Sequence, residues 1–381
     1  MPKSTNVPAI ACPHRPPCPG CPHFGRSGLA PASHAVLARL ADRTGAVLAP
    51  LVPSPPLAFR HRARLAVRGR SASPKIGIFQ RGSHRIADVP RCPIHHPLVN
   101  RVAGAIRDAV RRTATAPYAE GPHRGLLRYV QIVVERASER AQVVLVANDA
   151  DPAPSAPLAE RLRAAAGGEL HSLWWNGNPT RTNTILGPHW HRFDGPEAVR
   201  ESLGGVPVFF PPGAFGQANL AVADALVEAV QAEVPPGARV AELYAGTGAF
   251  GLGLLARGAT VAFNEVSEHG LHGLRLGLAA RTPAEQARAR INAGPAAAHV
   301  GLIDGAEVVI ADPPRRGLDA PVVEALARRP PRRLLLVSCD LGALERDVLA
   351  LAAAGLAPRE LRPFDMFPYT AHAETLAVLE A

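Results

Sequence analysis

From about residue 236 to the C-terminus, short apolar runs alternate with helical patterns, which restricts that half of the chain to a doubly wound α/β sheet. RVAELYAG is a strand running into a glycine-rich turn, AFGLGLLARG a short helix, and ATVAFNE a second strand. EVVIADPP, RRLLLVSC and TLAVLEA are three more strands, with the helical stretch ALERDVLALAAAG between the last two. In an open sheet of this kind, ligands bind at the carboxyl ends of the strands, where the strand order reverses. The residues that end these strands are therefore the first candidates for chemistry.

The first 235 residues follow other patterns. HAVLARLADR has a helical period, and a proline-rich turn follows at Pro53–Pro56. RHRARLAVRGR, KIGIFQRG and HRIADVP read as a strand meander, RYVQIVVER and AQVVLVAND as a hairpin, and SLWWNGN as a short strand. Arg60, Arg62, Arg64, Arg68 and Arg70 share one face of an extended strand, where they form either a phosphate clamp or a solvated surface. Residues 1–150 hold 22 Arg and Lys against 7 Asp and Glu, whereas residues 236–381 hold 15 against 16. A basic module beside a near-neutral one is the footprint of polyanion binding joined to a small-molecule domain. No apolar run approaches the roughly 20 residues of a membrane helix, and no secretory signal precedes the chain's polar start. A cytoplasmic location with reduced thiols is the expectation.

Five cysteines divide into four plus one. Cys12, Cys18 and Cys21 form a C-x5-C-x2-C cluster that Cys92 completes, which is metal-ligand spacing. Cys339 stands alone at the end of the LLLVS strand, where a nucleophile would sit. All-thiolate ligation suits an iron–sulfur cluster or zinc, and His14, His23, His95 and His96 nearby keep zinc open.

Three further motifs carry chemistry. The turn E-L-Y-A-G-T-G, Glu242 to Gly248, lets the backbone approach a nucleotide-like ligand around Gly246. Glu265 closes the next strand, 21 residues after Tyr244, where an acid can accept both hydroxyls of a ribose. No Walker lysine is present, which favours a nucleoside such as S-adenosylmethionine over a phosphorylated nucleotide. ADPPRRG then stiffens a turn around Asp312. Glu374 lies 35 residues after Cys339, and a thiolate and carboxylate facing one ligand suit nucleophilic addition with proton removal.

The block VSCD…LERDV…PFDMFPYTAHAETLAVL closely resembles the RNA uracil-C5 methyltransferase family. The resemblance extends through ADPPRRGLD, ELYAGTGAFG, PPGAFGQANLAVAD, FRHRARLAV, CPIHHPLVN and LRYVQIVV, almost the whole chain. It implies a Rossmann-like S-adenosylmethionine-dependent domain with a seven-stranded sheet at 201–381, a mixed α/β RNA-recognition domain at 26–200, and a cysteine loop at 1–25. It implies that Cys339 adds to C6 of a flipped-out uracil, that C5 takes the methyl group, and that Glu374 removes the C5 proton. Gln217, Tyr244, Gly246, Glu265 and Asp312 would line the methyl-donor and uracil pocket, and Cys12, Cys18, Cys21 and Cys92 would hold a [4Fe–4S] cluster. The N-terminal β-barrel that many relatives carry before the cluster is expected to be absent, and the chain to be a monomer. The members acting on one site of 23S rRNA are the best match, with tRNA T-loop enzymes the alternative. A non-catalytic RNA-binding iron–sulfur protein would require Cys339 or Glu374 to be missing. The chain departs from the family pattern at Leu341, where Pro is common, and at Pro295, where an acid or amide is expected near the adenine.

Overall fold

Two sheets organise the chain, and a computed structural model describes residues 11–26 and 28–381 of it. The strands are β1 (Val47–Leu48), β2 (Arg62–Arg70), β3 (Ser73–Phe79), β4 (Ile86–Asp88), β5 (Leu127–Glu135), β6 (Arg140–Ala147), β7 (Leu170–Gly177) and β8 (His189–Asp194). There follow β9 (Val199–Leu203), β10 (Val206–Phe210), β11 (Arg239–Leu243), β12 (Thr260–Glu265), β13 (Ala289–Ala293), β14 (Val308–Ala311), β15 (Arg333–Ser338), β16 (Ala357–Phe364) and β17 (Glu374–Glu380).

The first sheet has the order β4-β3-β2-β5-β6-β7-β8 and is antiparallel except at β6–β7. Crossing between those two parallel strands requires a helix, supplied by Ala156–Ala166. That helix and Pro97–Arg112 bury Leu98, Val102, Ile106, Leu158 and Leu162 on one face of the sheet, against Leu65, Ile132 and Val143 among others. The two-stranded ribbon β9–β10 then leads toward the second half.

The second sheet has the order β1-β16-β17-β15-β14-β11-β12-β13. Its strands are parallel except β17, which runs antiparallel to both β15 and β16. Helices Leu220–Ala232 and Glu268–Ala279 pack Leu226 and Leu274 on one face. Helices Pro31–Thr44, Ala320–Arg328 and Leu341–Ala353 pack Leu37, Leu40, Val322, Leu344 and Val348 on the other. Seven strands come from residues 239–380, as the resemblance implies, but the sheet has eight. Residues 31–48, assigned to the basic domain by sequence, supply the eighth strand and one covering helix.

β1, β8, β9, β10, β13 and β16 are not read as strands in the sequence. β8 and β13 alternate weakly, β16 contains Pro358 and Pro363, β1 has two residues, and β9–β10 is a short ribbon outside both large sheets. The arginine row on β2 is divided: Arg64 and Arg70 are exposed, whereas Arg62 and Arg68 are half-buried. Arg62 donates to Ala214 O at 2.9 Å, Arg64 to Gln131 Oε1 at 2.6 Å, and Arg68 to the carbonyls of Val67 and Arg128. Arg68 also lies 5.2–5.3 Å from the ring centres of Phe79, Tyr118 and Tyr129. Arg62 thus binds a loop, while Arg64 and Arg68 bind groups on β2 itself and on its neighbour β5. No helix among the described residues is long and apolar enough to cross a membrane.

Candidate active site

Strand register gathers the candidate residues along one edge of the second sheet. Ser338 pairs with Thr375 across β15 and β17, so Cys339, just past β15, sits opposite Glu374 at the start of antiparallel β17. Ala311 pairs with Leu336 and with Leu243, which places Asp312 and Tyr244 beside them. Leu243 pairs with Asn264, which brings Glu265 to the same edge. The order along that edge is Glu374, Cys339, Asp312, Tyr244, Glu265. Strand order reverses between β14 and β11, so the glycine turn and the ADPP turn flank the switch point where a ligand crevice forms.

The glycine turn is built to leave room. Gly246 has φ +56, and a Cβ there would meet nothing within 4 Å. Its N–H donates to Glu265 Oε2 at 2.6 Å, while Val266 and Ser267 donate their N–H groups to Oε1 at 2.8 and 2.6 Å. Three backbone donors thus fix the Glu265 carboxylate at the lip of the turn, with lone pairs left for hydroxyls. Val266, 63% exposed beside it, offers an unpartnered apolar contact at the same lip. Tyr244 adopts φ 57, unusual for a side chain with a Cβ. Its hydroxyl donates to Asp319 Oδ2 at 3.0 Å and accepts from Asp319 N, so it offers a ligand its ring and backbone rather than its hydroxyl. Pro295 lies just past Gly294, whose N–H donates to Glu265 O at 2.9 Å, which keeps that loop near the same lip.

Gln217 comes from a separate part of the chain. It lies between β10 and the helix Leu220–Ala232, in a loop that the first sheet grips through Arg62 on Ala214 O and Gln131 on Pro212 O. His61 N–H donates to Ala218 O at 2.8 Å, continuing the same seam. Phe215, 71% exposed, projects from this loop.

The acids at the edge repel one another in a buried setting. Burial pushes Asp312 up to about 7. Glu374, 1% exposed, is raised well above the usual carboxylate range, first by burial and then by Asp312, with Arg315 opposing. The Cys339 thiol is raised by burial, then by Glu374 and Asp312, and again Arg315 opposes. Arg315 is thus the cation that faces both the thiol and the acid. Sequence patterns do not single it out, although it sits within the ADPPRRG motif. Glu374 Oε1 has no hydrogen-bond partner among the described residues.

The loop carrying Asp312 and Arg315 is clamped from behind. Leu318 N–H donates to Asp347 Oδ2 at 2.8 Å, and Arg346 donates to Arg316 O at 2.6 Å. Gly317 has φ +84, and a Cβ there would collide with both Arg346 and Asp347. The LERDV stretch, noted in the sequence only for its resemblance, therefore holds the ADPPRRG turn in place.

The four remaining cysteines line one cavity of ≈ 210 Å³ together with Arg60. Burial pushes Cys21 up to about 12, reinforced by Cys92, Cys18 and Cys12, with Arg60 opposing; Cys18 and Cys92 are raised as well. Thiols at Cys18, Cys21 and Cys92 that are disfavoured from ionising fit a bound cationic centre, which would stabilise their thiolates. Among the described residues, no three His, Cys, Asp or Glu side chains gather as the ligands of one metal ion.

Comparison with known proteins agrees with this geometry. Residues 304–381, which contain Cys339 and Glu374, match the family model for tRNA (uracil-5-)-methyltransferase. The chain is 32% identical over 379 residues to an uncharacterized RNA methyltransferase of Protochlamydia amoebophila, covering 98% of each. It is 33% identical to another from Geobacter sulfurreducens, covering 87% of this chain and 68% of that protein. The solved tRNA (uracil-54, C5)-methyltransferase of Pyrococcus abyssi, in complex with S-adenosyl-L-homocysteine, superposes with a TM-score of 0.77 at 26% identity, over 96% of this chain and 86% of that one. A full-length relative, a shared fold and an edge that sets a thiol against a carboxylate lead to one conclusion: the chain belongs to the RNA uracil-5-methyltransferase family.

Proposed function

We propose that the protein transfers a methyl group from S-adenosylmethionine to C5 of a uridine in 23S rRNA, through a covalent bond between Cys339 and C6. The observation that carries this reading is the convergence of Cys339, Glu374 and Asp312 at one sheet edge beside the glycine turn. C5 of uracil is a weak nucleophile until addition at C6 pushes electrons onto it, so the chemistry needs a thiolate on one face and a base for the C5 proton. S-adenosylmethionine, when bound, supplies the electrophilic methyl group. Glu265, Gly246 and Tyr244 would hold the nucleoside, Gln217 and Asp312 the reacting base and methyl donor, and the basic first 150 residues the RNA backbone. A transfer RNA substrate is the second reading, favoured by the likeness to the Pyrococcus abyssi enzyme. Mapping 5-methyluridine by mass spectrometry in rRNA and tRNA, with and without the gene, decides between them. Loss of the modified base from one 23S position is the expected result, and no loss from any RNA would overturn the proposal.

Cys12, Cys18, Cys21 and Cys92, which line one cavity, would hold a structural [4Fe–4S] cluster, with zinc the alternative. Protein purified anaerobically is expected to be brown, with absorbance near ~400 nm and about four iron atoms per chain. Colourless protein with one zinc per chain is the contrary result.

The raised acids and thiol set a direction for pH. Cys339 and Glu374 must both be deprotonated to act, and both are pushed above their ordinary values. Their active forms therefore accumulate only as pH rises, so single-turnover methylation is expected to climb with pH and to go on climbing beyond the ordinary thiol range. Arg315 opposes the shift at both groups, so Arg315→Ala should move that climb to higher pH. A flat profile in the wild type would contradict the assignment.

A further inference from the structure

Glu374 opens β17, and residues 365–373 form the strap that joins it to β16. Met366 and Phe367 pack into the second sheet's core and Asn219 contacts Asp365, while the strap's other anchors come from near the N-terminus. Asp365 N–H donates to Val52 O at 2.9 Å. His23 N–H donates to Tyr369 O at 3.0 Å, and Ser33 Oγ donates to Ala371 O at 2.7 Å. The Tyr369 hydroxyl donates to Pro56 O at 2.8 Å, and its ring centre lies 4.9 Å from that of Phe24. Tyr369 is 8% exposed and clusters with Phe59 and Ile94, with Cys21, Phe24 and Cys92 packed against them. Its φ of 67 is unfavourable for a residue with a Cβ, and such a conformation persists only where surrounding contacts enforce it.

The Glu374 backbone is paired with Phe364 of β16, but its carboxylate lacks an anchor of its own. With Oε1 unpartnered, the carboxylate lies where its backbone and packing put it. We propose that the cysteine-bearing loop, with the start of the helix after it, is a positioning device for Glu374: through His23, Phe24 and Ser33 it holds the 365–373 strap and so fixes the carboxylate against Cys339. Phe24, Ser33 and Tyr369 are positioning residues and touch neither substrate nor the reacting atoms. The inference rests on the reading of Glu374 as the base that removes the C5 proton.

That step gives a signature which simple destabilisation does not. The Glu374 carboxylate takes the C5 proton, the C5–H electrons form the C5=C6 double bond, and the C6–S bond breaks to release Cys339 as thiolate. A displaced carboxylate slows this step and leaves addition and methyl transfer intact, so methylated RNA stays bonded to protein.

The test uses full-length Phe24→Ala, Phe24→Leu and Ser33→Ala, with Glu374→Gln alongside. Two readouts are taken: covalent RNA–protein adduct on denaturing gels, and hydrogen exchange of the peptide spanning residues 365–376. Phe24→Ala is expected to accumulate adduct as Glu374→Gln does, to lower kcat by roughly 10- to 100-fold with KM for RNA within about twofold, and to speed exchange in the strap at least about tenfold. Ser33→Ala, which removes one hydroxyl and no packing, should show a smaller change of the same kind, and Phe24→Leu should restore much of the loss. Adduct with Glu374→Gln but none with Phe24→Ala, or unchanged exchange in the strap, overturns the positioning role alone. Absence of adduct with Glu374→Gln overturns the assignment of the base, and this inference with it.

Discussion

Cys339→Ala is expected to abolish methylation while leaving RNA binding in place, with turnover reduced by at least about 10⁴-fold, or ~5.5 kcal/mol of barrier. The size follows from the chemistry rather than from packing. Without addition at C6 no electron pair reaches C5, and no neighbouring group can substitute, because Asp312 and Glu374 are carboxyl groups rather than soft nucleophiles. The fold should tolerate the change. Cys339 is only partly buried and lies past the end of β15, outside the ladder that pairs Ser338 with Thr375. Transfer of radiolabelled methyl to RNA, measured beside a gel-shift titration and a thermal melt, checks all three statements. Turnover close to wild type would sink the covalent mechanism.

Glu374→Gln is expected to arrest the reaction one stage later and to trap the RNA on the protein. The amide keeps the shape of the side chain but cannot accept the C5 proton, so the methylated adduct persists and steady-state turnover falls by at least about 10³-fold. Thermal stability should stay level or rise at neutral and higher pH. Burial raises the Glu374 carboxyl far above its unfolded value, so the folded state favours its protonated form. That contribution is whole below the unfolded pKa and is lost as pH climbs through the folded one, and a neutral amide escapes the loss. A protein band shifted by the mass of the RNA fragment, absent in the double variant with Cys339→Ala, is the reading to look for.

Much of this site was legible because the doubly wound pattern fixes where strand ends lie. Once β11, β14, β15 and β17 are recognised, Tyr244, Asp312, Cys339 and Glu374 must share an edge, whatever the loops do. Arg315 was visible as a residue but not as a partner, since its influence depends on which way one turn faces. The Arg346–Asp347 clamp and the Tyr369 strap were hidden for a related reason. Each joins segments far apart in sequence, and periodicity reports only on neighbours along the chain. The arginine row of β2 shows the opposite failure. Alternation placed the residues on one face correctly, but it could not tell that the neighbouring strand β5, Tyr118 and the 211–216 loop would engage the guanidinium groups of Arg62, Arg64 and Arg68.

The helix Pro31–Thr44 and strand β1 have a consequence for how this protein is made and cut. They are synthesised well before the strands they cover, so Leu37 and Leu40, both 0% exposed in the finished fold, wait without a partner until β16 and the helix Leu341–Ala353 emerge. The catalytic half is thus not a separable cassette. A fragment starting at residue 201 would bare the apolar groove that this helix fills and leave β16 as an open sheet margin, a template for pairing with other chains. Recombining halves between relatives at the apparent domain boundary would fail for the same reason, unless roughly the first 50 residues travelled with the last 150 or so.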